Sequence, residues 1–338
     1  MNPINVGLIG YGYWGPNLAR NLAETPAFEV AAIADARPER LGLAARRHRG
    51  VTTFADARAL LDCSSIDAVV IATPIATHHP LAKAAIERGK HVLVEKPLAA
   101  SCREAEELAA AADRRGVRLM VDHTFVYTGA VRTIRAIVES HELGELLYLD
   151  SVRVNLGLFQ QDSNVIWDLA VHDLAIMDHL IAERPVAVSA IGSTIAGYRH
   201  ETIAYITLHF AGGFLAHFHV NWLAPVKIRH LLLGGRQRML VYDDMDRFDK
   251  VRVYDKGVDF DVHDDETRRQ ILVSYRTGDM HAPRLDRREA LALVAQEFAS
   301  SIVERRAPLT GPDAGIRVVR MLEAAEQSMR ADGRRIPL

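Results

Sequence analysis

The first third of the chain alternates short apolar runs with stretches in which apolar residues recur at helical spacing. Amphipathic stretches of this kind include Leu81–Glu87 and Arg103–Arg114. Runs without polar interruption are typical of strands buried on both faces, and helices between such strands place them parallel in one sheet. The pattern therefore predicts a helix-covered parallel sheet with strands in Ile4–Ile9, Val30–Ala34, Ala68–Ala72, His91–Val94 and Arg118–Val121.

The pattern changes after about His123. Closely spaced strand-like runs joined by Gly or Asp turns follow, for example Ile203–Phe210 and Phe214–Trp222, as is typical of antiparallel hairpins. We therefore predict two domains: residues 1–123 as an α/β domain, and residues 124–338 as an α+β domain with a large, mostly antiparallel sheet. The second domain is expected to hold a strand at Leu146–Asn155 and helices at Ala130–Ser140, Val165–Ile181, Arg287–Glu304 and Ala314–Ala331.

Composition narrows the class of protein. The chain has 338 residues, of which 49% are hydrophobic and 25% charged, and its formal net charge is −2. These values are typical of a globular protein with two cores, and they exclude a basic field that would attract nucleic acid or an anionic membrane. The N-terminus lacks the pattern of a signal peptide, and no apolar run reaches the ~20 residues of a membrane span. We expect a cytoplasmic protein that binds neither nucleic acid nor membranes.

Metal and disulfide chemistry find no support in the sequence. The two cysteines, Cys63 and Cys102, do not form a CxxC pair. His217 and His219 share a strand face, but no third ligand stands at a suitable spacing, which favours a sheet-face or interface pair. We therefore expect neither a disulfide nor a metal site.

A glycine-rich turn directly after the first apolar run indicates a dinucleotide site. Gly10-Tyr11-Gly12-Tyr13-Trp14-Gly15 follows this run and opens a helix. The glycines of such a turn permit a tight bend and a close approach of the backbone to a pyrophosphate, which lies at the helix N-terminus. The turn predicts a Rossmann domain in which Gly10, Gly12, Tyr13, Trp14 and Gly15 contact the cofactor.

An acid at the end of the second predicted strand bears on the choice of cofactor. Asp35 can accept hydrogen bonds from ribose hydroxyls and repel a 2′-phosphate, which favours NAD over NADP. Arg37 and Arg40 are the reason to keep NADP as an alternative, although a solvated helix start also explains them. Carboxyl ends of later strands face the same crevice. The remaining predicted cofactor contacts are Ala36, Arg37, Thr73, Pro74, His78, Glu95, Lys96 and Pro97.

Four motifs in order resemble the family of glucose–fructose oxidoreductase, inositol dehydrogenase and the rhizopine-catabolism protein MocA (Gfo/Idh/MocA). They are the glycine turn, Ala72-Thr73-Pro74 with His78, Glu95-Lys96-Pro97, and the segment from Asp168 to Asp173. The resemblance runs over nearly the whole chain. It implies an NAD-dependent oxidoreductase in which Lys96 is catalytic and Asp168 and His172 lie on a catalytic helix.

The chemistry of these side chains can be argued separately. Asp168 and His172 stand four residues apart and project from one helix face. Oxidation of a secondary alcohol removes a hydroxyl proton while a hydride leaves the carbon, and histidine accepts protons near neutral pH. Lys96 can stabilise the developing alkoxide. Asp168 can orient the imidazole, hold a substrate hydroxyl or support Lys96, and the sequence leaves these roles open.

Further polar residues lie in segments that border the sugar in members of the family. A sugar site needs several hydrogen-bonding side chains, and structural roles explain each of these residues equally well. The predicted substrate-binding residues are His123, Tyr127, Arg153, Asn155, Gln160 and Asn164.

The most specific prediction is an NAD-dependent dehydrogenase that oxidises a ring secondary alcohol. The stretch Asp122–Asp178 resembles family members acting at C3 of nucleotide-linked amino sugars or uronic acids, and those of aminoglycoside pathways. The 41 basic residues comprise 35 arginines and six lysines, a bias typical of a high-GC bacterium such as an antibiotic producer. The alternatives are an NADPH-dependent keto-sugar reductase, an NAD-dependent glycosidase and a non-catalytic NAD-binding regulator. A homodimer or homotetramer is expected, because the family assembles through the antiparallel sheet.

Overall fold

The computed structural model describes residues 2–157, 159, 163–195, 197–259, 274–275 and 278–338. They belong to two compact units. Unit 1 comprises Met1–Thr128 and Arg288–Glu323, and unit 2 comprises Gly129–Arg287 and Ala324–Leu338. Helix Ala290–Val303 therefore belongs to unit 1, and helix Pro312–Arg330 is divided between the two units after Glu323.

Unit 1 is built on a parallel sheet. Among the described residues this sheet has six strands in the order β3-β2-β1-β4-β5-β6, the order of a Rossmann fold. The strands are β1 (Ile4–Ile9), β2 (Phe28–Ala34), β3 (Thr52–Phe54), β4 (Ala68–Ile71), β5 (His91–Glu95) and β6 (Leu119–Asp122). The helices are α1 (Gly15–Glu24), α2 (Pro38–Arg47), α3 (Ala57–Leu61), α4 (His78–Glu87) and α5 (Cys102–Arg115), with 3-10 turns at Ile75–Thr77 and Thr124–Tyr127.

The prediction of this sheet is confirmed, and the burial pattern explains why. Leu8 of β1, Val69 and Val70 of β4 and Leu93 of β5 are all fully buried, as expected of strands covered on both faces. The short strand β3 was missed, because its three residues include two exposed threonines and carry no apolar run.

Unit 2 is built on a larger mixed sheet. Its helices are α6 (Gly129–Glu139) and α7 (Val171–Leu180), the latter preceded by a π-helical turn at Ile166–Ala170. Its strands are β7 (Leu146–Leu156), β8 (Pro185–Ser193), β9 (Ile203–Phe210), β10 (Leu215–Asn221), β11 (Leu223–Gly235), β12 (Met239–Asp243), β13 (Val251–Tyr254), β14 (Val258–Asp259), β15 (Ser274–Tyr275) and β16 (Met280–His281). Helices α8 (Ala290–Val303) and α9 (Pro312–Arg330) and strand β17 (Ile336–Pro337) follow.

The strand order in the described part of the large sheet is β16-β13-β12-β11-β7-β10-β9-β8-β17. Its pairs are antiparallel, as predicted, with the exception of β7 and β10, which run parallel. Strands β14 and β15 pair separately. The π turn packs on β10, which brings the residues before α7 next to the centre of the sheet.

Candidate active site

The glycine turn after β1 has the backbone geometry that dinucleotide binding requires. Gly10 has a φ of 97°, and a Cβ added to it would lie 2.4 Å from the carbonyl oxygen of Ala72. A Cβ on Gly15 would lie 2.2 Å from the carbonyl oxygen of Gly10. Any side chain at either position would collide with backbone, so the two glycines are needed for the turn to close.

Helix α1 begins at the end of this turn and can receive a phosphate. Its N-cap is Trp14, whose side chain makes no capping hydrogen bond, and its first turn contains Pro16 and no acidic residue. Backbone N–H groups at such an end favour an anion. Tyr13 is largely exposed and stacks on Trp14 at a centroid distance of 6.3 Å. These features fit the pyrophosphate of a dinucleotide.

Asp35 lies at the end of β2 and is held from two directions. Its Oδ2 accepts the backbone N–H of Tyr11 at 2.8 Å, and its Oδ1 accepts the backbone N–H of Arg37 at 2.9 Å. The guanidinium of Arg37 adds two bonds, from Nε to Oδ1 and from Nη2 to Oδ2, both at 2.9 Å. Burial alone would raise the pKa of Asp35, but the hydrogen bonds from Arg37 and Tyr11 outweigh it and lower the pKa below its ordinary value.

This pairing changes the interpretation of Arg37. The side chain is half exposed, but its guanidinium forms a bidentate pair with Asp35 instead of extending into solvent from the helix start. A ribose hydroxyl that bonds to Asp35 must share the carboxylate with Arg37 or displace it. Arg37 therefore belongs to the same group of atoms as Asp35, whichever cofactor binds.

His78 connects two of the predicted cofactor-binding segments. It is buried at the start of α4, with Nδ1 2.8 Å from the carbonyl oxygen of Pro97 and Nε2 2.8 Å from that of Thr73. Burial lowers the pKa of His78 despite these two contacts. The residue braces the turn after β4 against the turn after β5. That second turn contains Lys96, and its Lys96–Pro97 peptide bond is cis.

The segment with Asp168 and His172 in unit 2 has an irregular start. Asp168 lies in the π-helical turn, and His172 lies in the first turn of α7. Single π turns within helices are frequently found at functional sites. The two side chains remain about one turn apart on a continuous helix, as the sequence predicts.

Trp222 fixes the carboxylate of Asp168. The indole Nε1–H donates to Asp168 Oδ2 at 3.0 Å, and the Trp222 side chain is 0% exposed. Phe159 stacks on the indole at 5.6 Å, and Tyr198 meets it edge-on at 6.5 Å. Sequence reasoning missed Trp222, which stands 54 residues from Asp168 and belongs to no recognisable motif.

A buried ion pair anchors helix α7 next to His172. Arg153 of β7 donates from Nε and Nη2 to the two carboxylate oxygens of Asp173, both at 2.8 Å. Both side chains are almost fully buried, at 3% and 6% exposure. This bidentate pair gives Arg153, a predicted substrate-binding residue, a role in holding the helix. Its contact with a sugar stays a prediction.

The remaining predicted substrate-binding residues are distributed over both units. In unit 1, His123 is buried, and the hydroxyl of buried Tyr127 hydrogen bonds with Thr310 Oγ1 at 2.9 Å. In unit 2, Asn155 lies near the end of β7, and buried Asn164 bonds through Nδ2 to Glu201 Oε2 at 3.2 Å. The Asn164 side chain also accepts the N–H of Trp167 at the start of the π turn. Gln160 lies outside the described residues.

Two features are absent from the described part of the chain. Within it, no helix is long and apolar enough to cross a membrane. The same residues contain no group of three or more His, Cys, Asp or Glu side chains that could hold a metal ion.

Comparison with known proteins gives matches to both halves of the chain. Residues 4–123 match the model of an oxidoreductase family with an NAD-binding Rossmann fold, and residues 131–242 match the GFO/IDH/MocA C-terminal domain. The UDP-N-acetylglucosamine 3-dehydrogenase of Acidithiobacillus ferrooxidans is 27% identical, over 94% of this chain and 94% of its own. The levoglucosan dehydrogenase of Pseudarthrobacter phenanthrenivorans is 34% identical over 57% of this chain and 55% of its own.

A solved structure with the same fold comes from an antibiotic pathway. GenD2 of gentamicin A biosynthesis, in complex with NAD, superposes with a TM-score of 0.84 at 24% identity, covering 100% of this chain and 97% of its own. At this identity the likeness establishes a shared fold.

Proposed function

This chain belongs to the Gfo/Idh/MocA oxidoreductase family, and we propose that within it the protein oxidises the C3 hydroxyl of a nucleotide-linked or aminoglycoside-type sugar. Membership confirms the predicted fold class, the NAD cofactor and an oxidoreductase acting on the CH–OH group of sugar-type molecules. The position of the hydroxyl and the identity of the sugar are the proposal.

The observation that supports a catalytic role for this helix is the fixed carboxylate of Asp168, one turn before His172. A general base must be held in a defined orientation, because small displacements of catalytic groups lower the rate strongly. Trp222 fixes Asp168 in the π turn, and the Arg153–Asp173 pair fixes α7 directly after His172. An Asp–His pair on a surface helix without a function would not need one anchor before the histidine and another after it.

The residues then have separate roles in the reaction. His172 accepts the proton of the substrate hydroxyl, and Lys96 stabilises the negative charge that develops on the oxygen. Bound NAD would supply the hydride acceptor for the carbon that carries this hydroxyl, and that carbon becomes the ketone. Asp168 orients the imidazole or a substrate hydroxyl. Gly10 and Gly15 let the turn close tightly, and the N-terminus of α1, which has no side-chain cap and no acid in its first turn, would hold the pyrophosphate.

One relative supports oxidation at C3, and one structure of the same fold supports the aminoglycoside class of sugar. The relative from A. ferrooxidans, similar over nearly its full length, is described as a 3-dehydrogenase of UDP-N-acetylglucosamine. The GenD2 structure, of the same fold, belongs to an aminoglycoside pathway. The arginine-rich composition is compatible with a high-GC bacterium, in which such pathways are common.

The decisive experiment measures NADH formation by absorbance with a panel of nucleotide sugars, inositols and aminoglycosides. Net NADH with a nucleotide sugar or an aminoglycoside, and a 3-keto product, is the expected result. Hydrolysis of a glycoside without net NADH would instead identify an NAD-dependent glycosidase. Turnover only with NADPH and a keto-sugar would identify a reductase, and NAD binding without any turnover would identify a regulator.

Substitution of His172 tests the mechanism on the same substrate. We expect His172→Ala to bind NAD normally and to lose turnover by ~10²–10⁴-fold, the usual contribution of a general base. The matched control is His179→Ala, which removes an imidazole from the same helix. Lys96→Ala should also lose turnover, and Lys96→Arg should not restore it, because a planar guanidinium cannot replace a compact ammonium. Turnover of His172→Ala near that of the control would exclude His172 as the base.

We also propose that the uncovered face of the large sheet joins copies of this chain into a homodimer or homotetramer. Alternate residues of β9 and β10 point away from the core, and this face includes Tyr205 and Leu215, exposed by 40% and 43%. Ile191 of β8 adds to it at 58%. Exposed apolar side chains grouped on one sheet face are typical of an interface in a closed oligomer.

A further inference from the structure

Two acidic side chains stand next to each other where β5 and β6 end. Glu95 and Asp122 are direct partners in the parallel register of these strands, so their side chains lie on the same face of the sheet. Lys96, the proposed catalytic lysine, is the next residue after Glu95. Neither the oxidation step nor cofactor binding explains why each of these two buried strands ends in an acid.

Within the described part of the chain, each carboxyl group of the pair accepts a hydrogen bond at only one of its two oxygens. Asp122 Oδ1 accepts the hydroxyl of Thr124 at 2.7 Å, and Glu95 Oε2 accepts the backbone N–H of Lys96 at 3.2 Å. Glu95 Oε1 and Asp122 Oδ2 are buried and have no hydrogen-bond partner in the part of the chain that the structure describes. Two ionised oxygens in this state would be costly, whereas one proton between them would satisfy both.

The surrounding charges indicate which residue holds that proton. Burial raises the pKa of Glu95 well above its usual range, and the neighbouring Asp122 carboxylate raises it further. Burial also raises the pKa of Asp122. The Thr124 hydroxyl, the Trp14 indole and the charge of Lys96 each lower this pKa, but the net shift remains upward. Tyr127 is a further titratable group that interacts with Asp122, and burial keeps it neutral by raising its pKa.

We propose that Glu95 and Asp122 share one proton and act as a positioning pair that places a single negative charge beside Lys96. This inference rests on the proposed role of Lys96 as the cation that stabilises the alkoxide. One negative charge balances the positive charge of Lys96, which interacts with both carboxyl groups. Two ionised carboxylates would repel each other in a buried position.

Amide variants distinguish one shared proton from two ionised acids. With a shared proton, the pair carries one negative charge in the wild type, in Glu95→Gln and in Asp122→Asn, because the remaining acid ionises. Only the double variant loses the charge. In the pH profile of kcat/KM, we expect the alkaline limb to lie at the same pH in the wild type and in both single variants. In the double variant it should lie ~1–2 pH units lower. The position of the limb is compared rather than the rate, since Glu95 also lies in a cofactor-binding segment.

An infrared measurement tests the proton without using activity. At neutral pH the wild type should show the C=O band of a buried protonated carboxyl, visible in the difference spectrum of wild type minus Glu95→Gln. Both Glu95→Gln and Asp122→Asn should lack this band. Absence of the band in the wild type, or a stepwise shift of the alkaline limb in each single variant, would overturn the shared proton. A band with an unmoved limb in the double variant would overturn the link to Lys96, whereas the role of this lysine itself is decided separately by the turnover of Lys96→Ala and Lys96→Arg.

Discussion

Replacement of Trp222 by phenylalanine removes one hydrogen bond while keeping an aromatic ring, although a smaller one, at a fully buried position. The indole N–H donates to Asp168 Oδ2 at 3.0 Å, and the ring is packed against Phe159 and Tyr198. Phenylalanine retains an aromatic ring in this cluster but has no donor. The carboxylate of Asp168, one turn before His172, would then lose the indole donor that orients it.

The expected loss follows from the kind of hydrogen bond. A hydrogen bond to a charged group contributes ~1.5–3 kcal/mol, so Trp222→Phe should lower kcat/KM by ~10–100-fold if the bond is retained in the transition state. The assay is NADH formation with the substrate identified by the panel. Trp167→Phe is the matched control, because Trp167 is also a buried tryptophan and lies in the same π turn. The control separates loss of the hydrogen bond from the cost of a smaller ring.

A double-mutant cycle with Asp168→Ala determines whether Trp222 acts through Asp168. If it does, Trp222→Phe should cost nothing further once the carboxylate is absent, and the coupling energy should equal the effect of the single variant. Additive losses in the two single variants would refute the reasoning, because Trp222 would then contribute only to packing. Comparison of Asp168→Asn with Asp168→Ala shows how much of the loss in kcat/KM is due to the charge of the carboxylate.

The remaining predictions concern the cofactor, stability and assembly. NAD should bind more tightly than NADP, and Asp35→Ser should narrow the difference because the carboxylate no longer repels a 2′-phosphate; equal affinities in the wild type, measured by titration calorimetry, would contradict this. Asp173→Ala should lower the free energy of unfolding in urea by ~3–5 kcal/mol, since it removes the carboxylate from a buried, bidentate pair with Arg153, and Glu24→Ala at an exposed pair should have little effect. Leu215→Arg should convert the oligomer into a monomer of 37.5 kDa in light scattering, whereas a monomeric wild type at micromolar concentration would exclude the proposed interface.

The sequence alone determined those features whose cause is local. Strand β1 was predicted with its observed bounds, because its residues are apolar with the exception of Asn5 and a glycine turn ends it. The spacing of Gly10 and Gly15 after a strand predicts a tight turn that only glycine permits. The structure shows the reason, since a Cβ at either position would collide with backbone. The hairpin of β9 and β10 was predicted for a similar reason, since alternation and a Gly-Gly turn lie within a few residues of each other.

Only the tertiary structure decided which distant residues meet. The bond from Trp222 to Asp168 joins positions 54 residues apart, and it depends on the packing of the π turn against β10, which no sequence period encodes. The parallel pairing of β7 with β10 and the direct register of Glu95 with Asp122 depend equally on how strands are ordered across a sheet. A shift of one residue in such a register would turn a side chain to the opposite face. The residues that support the candidate site are therefore set by strand order and register, because these bring together groups that the local pattern of the chain leaves far apart.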